Sequence, residues 1–386
     1  MTDTTFIDWP FFEPRHKSLR VELLEWCENY DFAHDKDVDS ACRNLVRDLG
    51  RGGWLRACIP GSEGGLVDGL DVRSIALSRE TLAFYSGLAD FALAMQGLGS
   101  GPIALFGSDE QKDLYLPAVG LGELVPAFAL SEAKAGSDVA AMETQAAREG
   151  GSYRIDGEKM WISNGGIADF YCVFARTGEA PGSKGISAFI VDADTQGFSI
   201  SERIDTIAPH PLARLKFENC VVPVENRIGK PGEGFKVAMA TLDVFRTTVG
   251  AAALGFARRA LYESVRHTSE RQLFGAPLSA LQMTEAGIAD MAVDVDASSL
   301  LVYRSAWAKD CYQDRVTREA AMAKLYATEA AQRVIDKAVQ FFGGAGVVSG
   351  NIAETLYREI RALRIYEGAS EVQKVIIARQ TYSGRT

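Results

Sequence analysis

Among the ionisable side chains of this 386-residue chain, Glu367 is the one whose surroundings suit acid–base work. It lies in Arg364-Ile365-Tyr366-Glu367-Gly368-Ala369-Ser370-Glu371-Val372-Gln373, between two helical patterns. Before it, Ile352, Leu356, Ile360 and Leu363 recur at helical spacing; after it, Ser370 and Gln373 have the S-x-x-Q spacing of a capping box and lead into Val375-Ile376-Ile377. Gly368 is therefore expected to end one helix just before the next begins, which fixes Glu367 at a corner. A carboxylate held that way suits proton abstraction, and capping a helix end is the alternative role for the same residue.

Two other stretches bring ligand-binding groups together. Leu130-Ser131-Glu132-Ala133-Lys134-Ala135-Gly136-Ser137-Asp138-Val139 combines small residues, hydroxyls and pliant backbone, which suits a phosphate or a planar polar ligand, or equally a surface loop. Trp161-Ile162-Ser163-Asn164-Gly165-Gly166 offers an aromatic plate and a hydroxyl at a strand end, or else a buried Trp beside an Asn-Gly turn. Other site chemistries lack their residues. No G-x-x-x-x-G-K-[ST] run occurs, and Gly343-Gly344-Ala345-Gly346 follows a helix, so a Rossmann dinucleotide domain is not supported. Cys27, Cys42, Cys58, Cys172, Cys220 and Cys311 are scattered without a C-x-x-C pair, which argues against a disulfide framework or thiolate metal site and fits a reducing cytosol. His16, His34, His210 and His267 have no partner at metal-ligand spacing. A net charge of −10 disfavours nucleic acid or an anionic membrane as the main partner. With no signal-peptide pattern and no apolar run of membrane-spanning length, a cytoplasmic protein without a membrane partner is expected.

The elements that must position these residues fall into three textures. Up to about residue 124 the pattern is helical: Leu19, Leu23, Trp26 and Tyr30 share one face, and Cys42, Leu45, Val46 and Leu49 another, with Gly50 as the expected stop. Asp71 is placed to cap the next helix, Ser108 and Gln111 form a second capping box, and Pro117 is expected to follow the short helix they start. From 125 to 235 short alternating runs predict a β domain. Within it, Tyr153 to Trp161 reads as two strands joined by an Asp156-Gly157 turn, and further strands fall at 170–175, 186–191, 198–204 and 215–222. From 236 to 386, Ala-rich amphipathic segments at 236–268, 278–311, 316–342 and 352–381 predict an up-and-down four-helix bundle. The order helices, strands, helices predicts a mainly α chain with a central β domain, not a doubly wound fold.

The conjunction of motifs is more specific than any one of them. LSEAKAGSDVAAM (130–142), GEKMWISNGG (157–166), SERQLFG (269–275), AVQFFGGAGV (338–347) and RIYEGASEVQ (364–373), in that order and inside that frame, closely resemble the acyl-CoA dehydrogenase family over essentially the whole chain. The resemblance implies its three-domain fold, with an N-terminal helical domain, a middle β-sandwich or barrel and a C-terminal four-helix bundle. It implies FAD, with Phe128, Leu130, Ser131, Ser137, Trp161 and Ser163 along the flavin and its pyrophosphate, and Ala369 and Glu371 beside the cofactor. Arg271, Phe274, Gln282, Gln340, Gly343 and Gly344 match positions that reach the FAD of a neighbouring subunit, so a homotetramer built as a dimer of dimers is implied. Ser137, Asp243, Arg246 and Gly368 match substrate-side positions. Glu367 would take the α-proton of an acyl-CoA while the β-hydrogen leaves as hydride to flavin N5, forming the 2,3-enoyl-CoA, and electrons would pass to an electron-transfer flavoprotein. An oxygen-using oxidase or flavin monooxygenase on the same fold, or a catalytically silent binding homologue, is the alternative.

Departures from the family pattern are local. Ala133-Lys134 stands where Pro-Gly is usual, Ala369 where Thr is usual, and Thr206 to Arg214 replaces a common M-G-x-R-x-S-x-T run. The second base position of some relatives is Phe245, and the Arg that binds a distal carboxylate in others is Ala89. Leu88, Phe91, Leu93, Ala94 and Met95 then predict a mostly apolar acyl wall.

Overall fold

The computed structural model describes residues 4–32, 37–312 and 315–384, so His34 lies outside the described residues. Five helices come first: α1 (Pro14–Asn29), α2 (Val38–Arg51), α3 (Val72–Tyr85), α4 (Gly87–Phe106) and α5 (Asp109–Gly120). Eight strands follow: β1 (Pro126–Ala129), β2 (Gln145–Glu149), β3 (Ser152–Ser163), β4 (Phe170–Arg176), β5 (Ile186–Asp192), β6 (Phe198–Arg203), β7 (Leu212–Pro223) and β8 (Arg227–Ile228). Then come α6 (Gly234–Glu270), the short strands β9 (Gln272–Leu273) and β10 (Ala276–Pro277), α7 (Gln282–Cys311), α8 (Thr317–Phe342), α9 (Ile352–Leu363) and α10 (Ser370–Ser383). The chain is thus mainly α with a central β region. Packing divides it into two compact units, Met1–Phe32 with Val72–Asp90 and Asp243–Thr386, and Ala33–Asp71 with Phe91–Leu242.

In the first unit the helices of the C-terminal bundle close on alanine. Ala323, Ala327 and Ala331 of α8 are fully buried with Val249, Ala252 and Ala253 of α6 and Val302 and Tyr303 of α7. Such small side chains let helix backbones approach closely, and the burial of apolar surface drives the packing. Phe6 stacks on Tyr303 with ring centroids 5.4 Å apart, and the guanidinium of Arg258 lies over the Phe6 ring at 4.3 Å. α6 is long and apolar enough by composition to cross a membrane, but 89% of its apolar window is buried in the protein, as for a core helix.

The second unit is built on one eight-stranded sheet in the order β6-β7-β3-β2-β4-β5-β8, with β1 added parallel to β4. β4 and β5 are buried on both faces.

Several local expectations give way to tertiary contacts. α2 does not stop at Gly50; it continues to Arg51, and Gly53 takes the positive φ of 79°. The first amides of α3, at Val72 and Arg73, donate to the Asp310 carboxylate of α7 at 2.9 and 3.0 Å, so a distant acid serves where Asp71 was the local candidate. The Ser108–Gln111 capping box forms, yet α5 runs through Pro117 to Gly120. Tyr153 to Trp161 is one strand, not two: Gly157, at φ 144°, sits at a bulge in the β3–β7 pairing. A Cβ at Gly157 would lie 2.7 Å from Thr144 Cα, which is why glycine occupies the bulge.

Candidate active site

Glu367 stands in a six-residue turn between α9 and α10, within the first unit. α9 ends at Leu363 with Arg364 as its C-cap, four residues before the glycine expected to stop it. Ala369 is the N-cap of α10, and no side chain caps there, so the S-x-x-Q box does not form. Its two residues are used differently. The Ser370 hydroxyl donates to Glu329 at 2.5 Å, and Gln373 Nε2 reaches back to the carbonyls of Glu367 and Gly368 at 3.2 and 2.9 Å.

The turn is made by two successive residues at positive φ, Glu367 at 53° and Gly368 at 92°. For a non-glycine residue that conformation costs roughly 1–2 kcal/mol. Donors from three helices hold it in place: Gln373 of α10, Lys324 Nζ of α8 on the Gly368 carbonyl at 2.8 Å, and Arg246 Nε of α6 on the Glu367 carbonyl at 3.4 Å. Arg364 and Glu329 clamp the start of the turn through hydrogen bonds of 2.9 and 2.8 Å. The Glu367 amide has no hydrogen-bond acceptor among the described residues.

Glu367 is half-buried, and its carboxylate Oε2 is buried with no hydrogen-bond partner among the described residues. Burial pushes its pKa above the ordinary value, against the opposing pull of Arg79, Lys324 and Arg246. Arg79 is already paired with Asp90 in a two-pronged contact of 2.8 and 2.9 Å and donates to Thr248 Oγ1 at 3.1 Å. Arg246 is paired with Asp243 at 3.2 Å. Asp243 in turn accepts from the Thr317 hydroxyl at 2.8 Å, so this substrate-side candidate is also a tie between α6 and the start of α8. Phe245 is fully buried and brings no second base.

Arg271, Phe274, Gln282, Gln340, Gly343 and Gly344 gather at one end of the bundle. The β9–β10 hairpin turns through Phe274 and Gly275 at φ 52° and 83°, leaving the Phe274 ring 91% exposed. His267 of α6 stacks on Phe342 of α8 at 4.2 Å, which sets the hairpin beside Gly343. Glu371 is exposed on α10 and Ala369 half-buried.

The other ligand candidates belong to the second unit, where the loop after β1 is pinned to β3. Met160 N donates to Ser131 O at 2.9 Å, and Lys159 Nζ, fully buried, bonds Leu130 O at 3.2 Å and Glu132 Oε1 at 2.8 Å. Glu132 also accepts from the amides of Glu143 and Thr144 at 2.6 and 3.0 Å. Burial lowers the Lys159 pKa to about 8. Burial works against Glu132, but Lys159 and those amides prevail and hold its carboxyl below the usual range. Neither role was evident from the sequence.

Trp161 is not buried: at φ 63° its ring is 54% exposed at the end of β3, close in sequence to the half-buried Ser163. Phe128 packs on Phe174 at 4.9 Å, and Ser137 is exposed. The following turn is fixed by Asn164, whose amide donates to Pro211 O at 3.0 Å and whose side chain donates to Pro126 O at 3.0 Å. The unusual 206–214 run thus supports that turn, with His210 also packed on Phe91 at 4.5 Å.

These groups fit a flavin dinucleotide. An exposed indole plane, hydroxyls with no hydrogen-bond partner among the described residues at Ser131, Ser137 and Ser163, and a loop backbone pinned to β3 are what a planar ring and a diphosphate need. Among the described residues no cluster of His, Cys, Asp and Glu has the makings of a metal site.

Comparison with known proteins agrees along the chain. Family models for the acyl-CoA dehydrogenase N-terminal, middle and C-terminal domains match residues 13–123, 127–220 and 232–382. The human mitochondrial short-chain specific acyl-CoA dehydrogenase is 40% identical over 338 residues, covering 86% of this chain and 81% of the relative. The structure of butyryl-CoA dehydrogenase from Megasphaera elsdenii superposes with a TM-score of 0.89 at 32% identity, covering 96% of this chain and 99% of that one. A chain from the structure of the electron transferring flavoprotein of Acidaminococcus fermentans gives 0.90 at 37% identity, covering 96% and 98%.

Proposed function

Since this chain belongs to the acyl-CoA dehydrogenase family, FAD-dependent oxidoreductases, we propose that it converts an acyl-CoA to the 2,3-enoyl-CoA with Glu367 as the α-proton base. The observation that carries the reading is the buried, unpartnered Oε2 of Glu367 on a corner held by three donors. Bound FAD supplies the two-electron acceptor to which the β-hydrogen passes as hydride.

Everything else is done by the chain. Oε2 offers its lone pair to the α-proton, and its raised pKa matches the carboxylate better to a weak carbon acid than an ordinary glutamate would. Breaking the α-C–H bond places charge on the thioester carbonyl, and the free Glu367 amide is the donor proposed for that oxygen. The positive φ that strains the turn presents carboxylate and amide from one residue, and Gln373, Lys324 and Arg246 keep both in place. Asp243 contributes by fixing Arg246.

Phe128, Leu130, Ser131, Ser137, Trp161 and Ser163 are proposed to hold FAD, with Ala369 and Glu371 near it. Arg271, Phe274, Gln282, Gln340, Gly343 and Gly344 are proposed to reach the FAD of a second copy in a homotetramer, which the exposed apolar side chains at that end of the bundle support. The sequence domains are proposed as 1–124, 125–235 and 236–386, in a cytoplasmic enzyme. The names of its relatives favour a short acyl chain and an electron-transfer flavoprotein as acceptor.

The test is an anaerobic titration of the flavoprotein with straight, branched, cyclic and aromatic acyl-CoAs, followed by flavin absorbance. Short straight chains should bleach the flavin of the native enzyme. The Glu367→Gln protein should stay yellow and folded with no measurable reduction, and near-native reduction in that variant would remove Glu367 as the base.

A further inference from the structure

Glu367 is surrounded by charge, yet most of that charge is already neutralised. On α3 and α4, Arg79 and Asp90 form a closed pair. On α6, Arg246 is paired with Asp243, which Arg315 also approaches at 3.6 Å. On α8 and the turn, Glu329 is paired with Arg364. Glu359 of α9 and Tyr366 of the turn are also titratable groups on the packed elements, and α10 adds Glu371 and Lys374.

Lys324 is the exception. Its side chain is fully buried in α8, it forms no ion pair among the described residues, and its one hydrogen bond goes to the carbonyl of Gly368 at 2.8 Å. An ammonium with one acceptor for three donors is costly inside a protein unless an opposite charge faces it. Of the two carboxylates that pull on its ionisation, Glu329 is already paired with Arg364, and Glu367, next to the carbonyl that Lys324 holds, exerts the larger pull.

We propose that Lys324 is a positioning residue with two tasks: it anchors the Gly368 carbonyl, and it adds to the already paired Arg79 and Arg246 a counter-charge without an ion-pair partner of its own among the described residues, which favours the ionised form of the base. The proposal rests on Glu367 being the base. A general base must be deprotonated to work, and burial alone drives a carboxyl toward its neutral form. Lys324 offsets that drive from behind the turn, leaving Oε2 free for the substrate's proton. Burial in turn lowers the Lys324 pKa to about 8, so the counter-charge is present at neutral pH and fades as pH rises through that value.

The test reads the ionisation of Glu367 in the flavin-loaded enzyme without substrate. With glutamate carboxyls labelled with carbon-13, the Glu367 resonance is the one missing from Glu367→Gln. Lys324→Gln keeps a donor but removes the charge, and Lys324→Met removes both. In each, the Glu367 resonance should titrate at higher pH than in the native protein. The kcat/KM for flavin reduction should fall about tenfold or more near pH 6, with a much smaller loss near pH 9. Lys324→Arg, which restores the charge, should move the profile back toward native. A loss by the same factor at every pH, with the Glu367 titration in place, overturns the proposal. Should the Lys324 variants not fold, the native protein decides: its Glu367 resonance should show a second inflection at about pH 8 as Lys324 gives up its proton, and a single-step titration overturns the proposal. Flavin reduction persisting in Glu367→Gln would instead overturn the assignment of the base, whatever the Lys324 result.

Discussion

At the scale of single residues, the carboxylate proposed as the base depends on where its backbone is, not only on what it is. Glu367 at φ 53° shows its amide and its carboxylate from one corner, and neither the amide nor Oε2 has a hydrogen-bond partner among the described residues. Its raised pKa fixes the sign of the acid limb. Turnover should climb as pH rises through the Glu367 ionisation, because only the carboxylate accepts the α-proton. A kcat/KM profile that is flat across the acid range in native enzyme and lost in Glu367→Gln would contradict that reading. The second buried lysine makes a different prediction. Lys159 neutralises Glu132 and bonds Leu130 O, so Lys159→Met leaves a buried carboxylate without its ion-pair partner beneath the loop proposed to hold the flavin. Breaking such a pair from one side costs about 3–5 kcal/mol. Urea unfolding should show a loss of that order, and the purified variant should carry less FAD. Glu367 could be singled out in the sequence because a glutamate beside glycine at a helix break is a local signal. Lys324 and Lys159 could not, since each acts on a partner 44 and 27 residues away through space.

At the scale of elements, the long amphipathic helices and buried strands were legible because their periodicity is intrinsic, whereas their junctions were settled by distant contacts. An Asp-Gly pair reads as a hairpin, but Gly157 serves a bulge because Thr144 crosses beside it and β7 continues the pairing on both sides. Ser370 and Gln373 read as a capping box, but each has a stronger tertiary partner, Glu329 for the hydroxyl and the Glu367 and Gly368 carbonyls for the amide. The start of α3 shows the same rule and can be measured. Asp310 accepts from two amides of that helix and from Arg73 Nε at 2.8 Å, and both side chains are buried. Asp310→Ala therefore removes a cap, worth about 1 kcal/mol, and one of the two carboxylates paired with Arg73, leaving Glu13 at 2.8 Å, for a total of roughly 2–4 kcal/mol. Thermal unfolding is the measurement. A change below about 0.5 kcal/mol, typical of a surface substitution, would mean that the contact contributes nothing.

At the scale of the whole molecule, the end of the bundle that carries Arg271 and Gly343 is too apolar to be explained by the single chain. Phe274 is 91% exposed at the hairpin tip, Met283 84% at the start of α7, and Val347 and Val348 70% and 59% just past α8. Single exposed hydrophobes are ordinary, but a group of them beside arginine and glutamine with no internal partner is the composition of an interface. The chain holds the hairpin tip in a conformation that packing within the chain does not require: Phe274 at φ 52° spends backbone strain to point a ring outward. A second copy that buries the ring would explain the strain, and a cofactor shared across that contact would explain the polar residues around it. The native protein should therefore sediment as a tetramer. Phe274→Asp with Met283→Asp should shift it to smaller species and lower its flavin content, with circular dichroism unchanged. The paired readout separates two causes. Smaller species with full flavin would place the cofactor wholly within one chain, and a tetramer with full flavin would move the interface away from this end of the bundle.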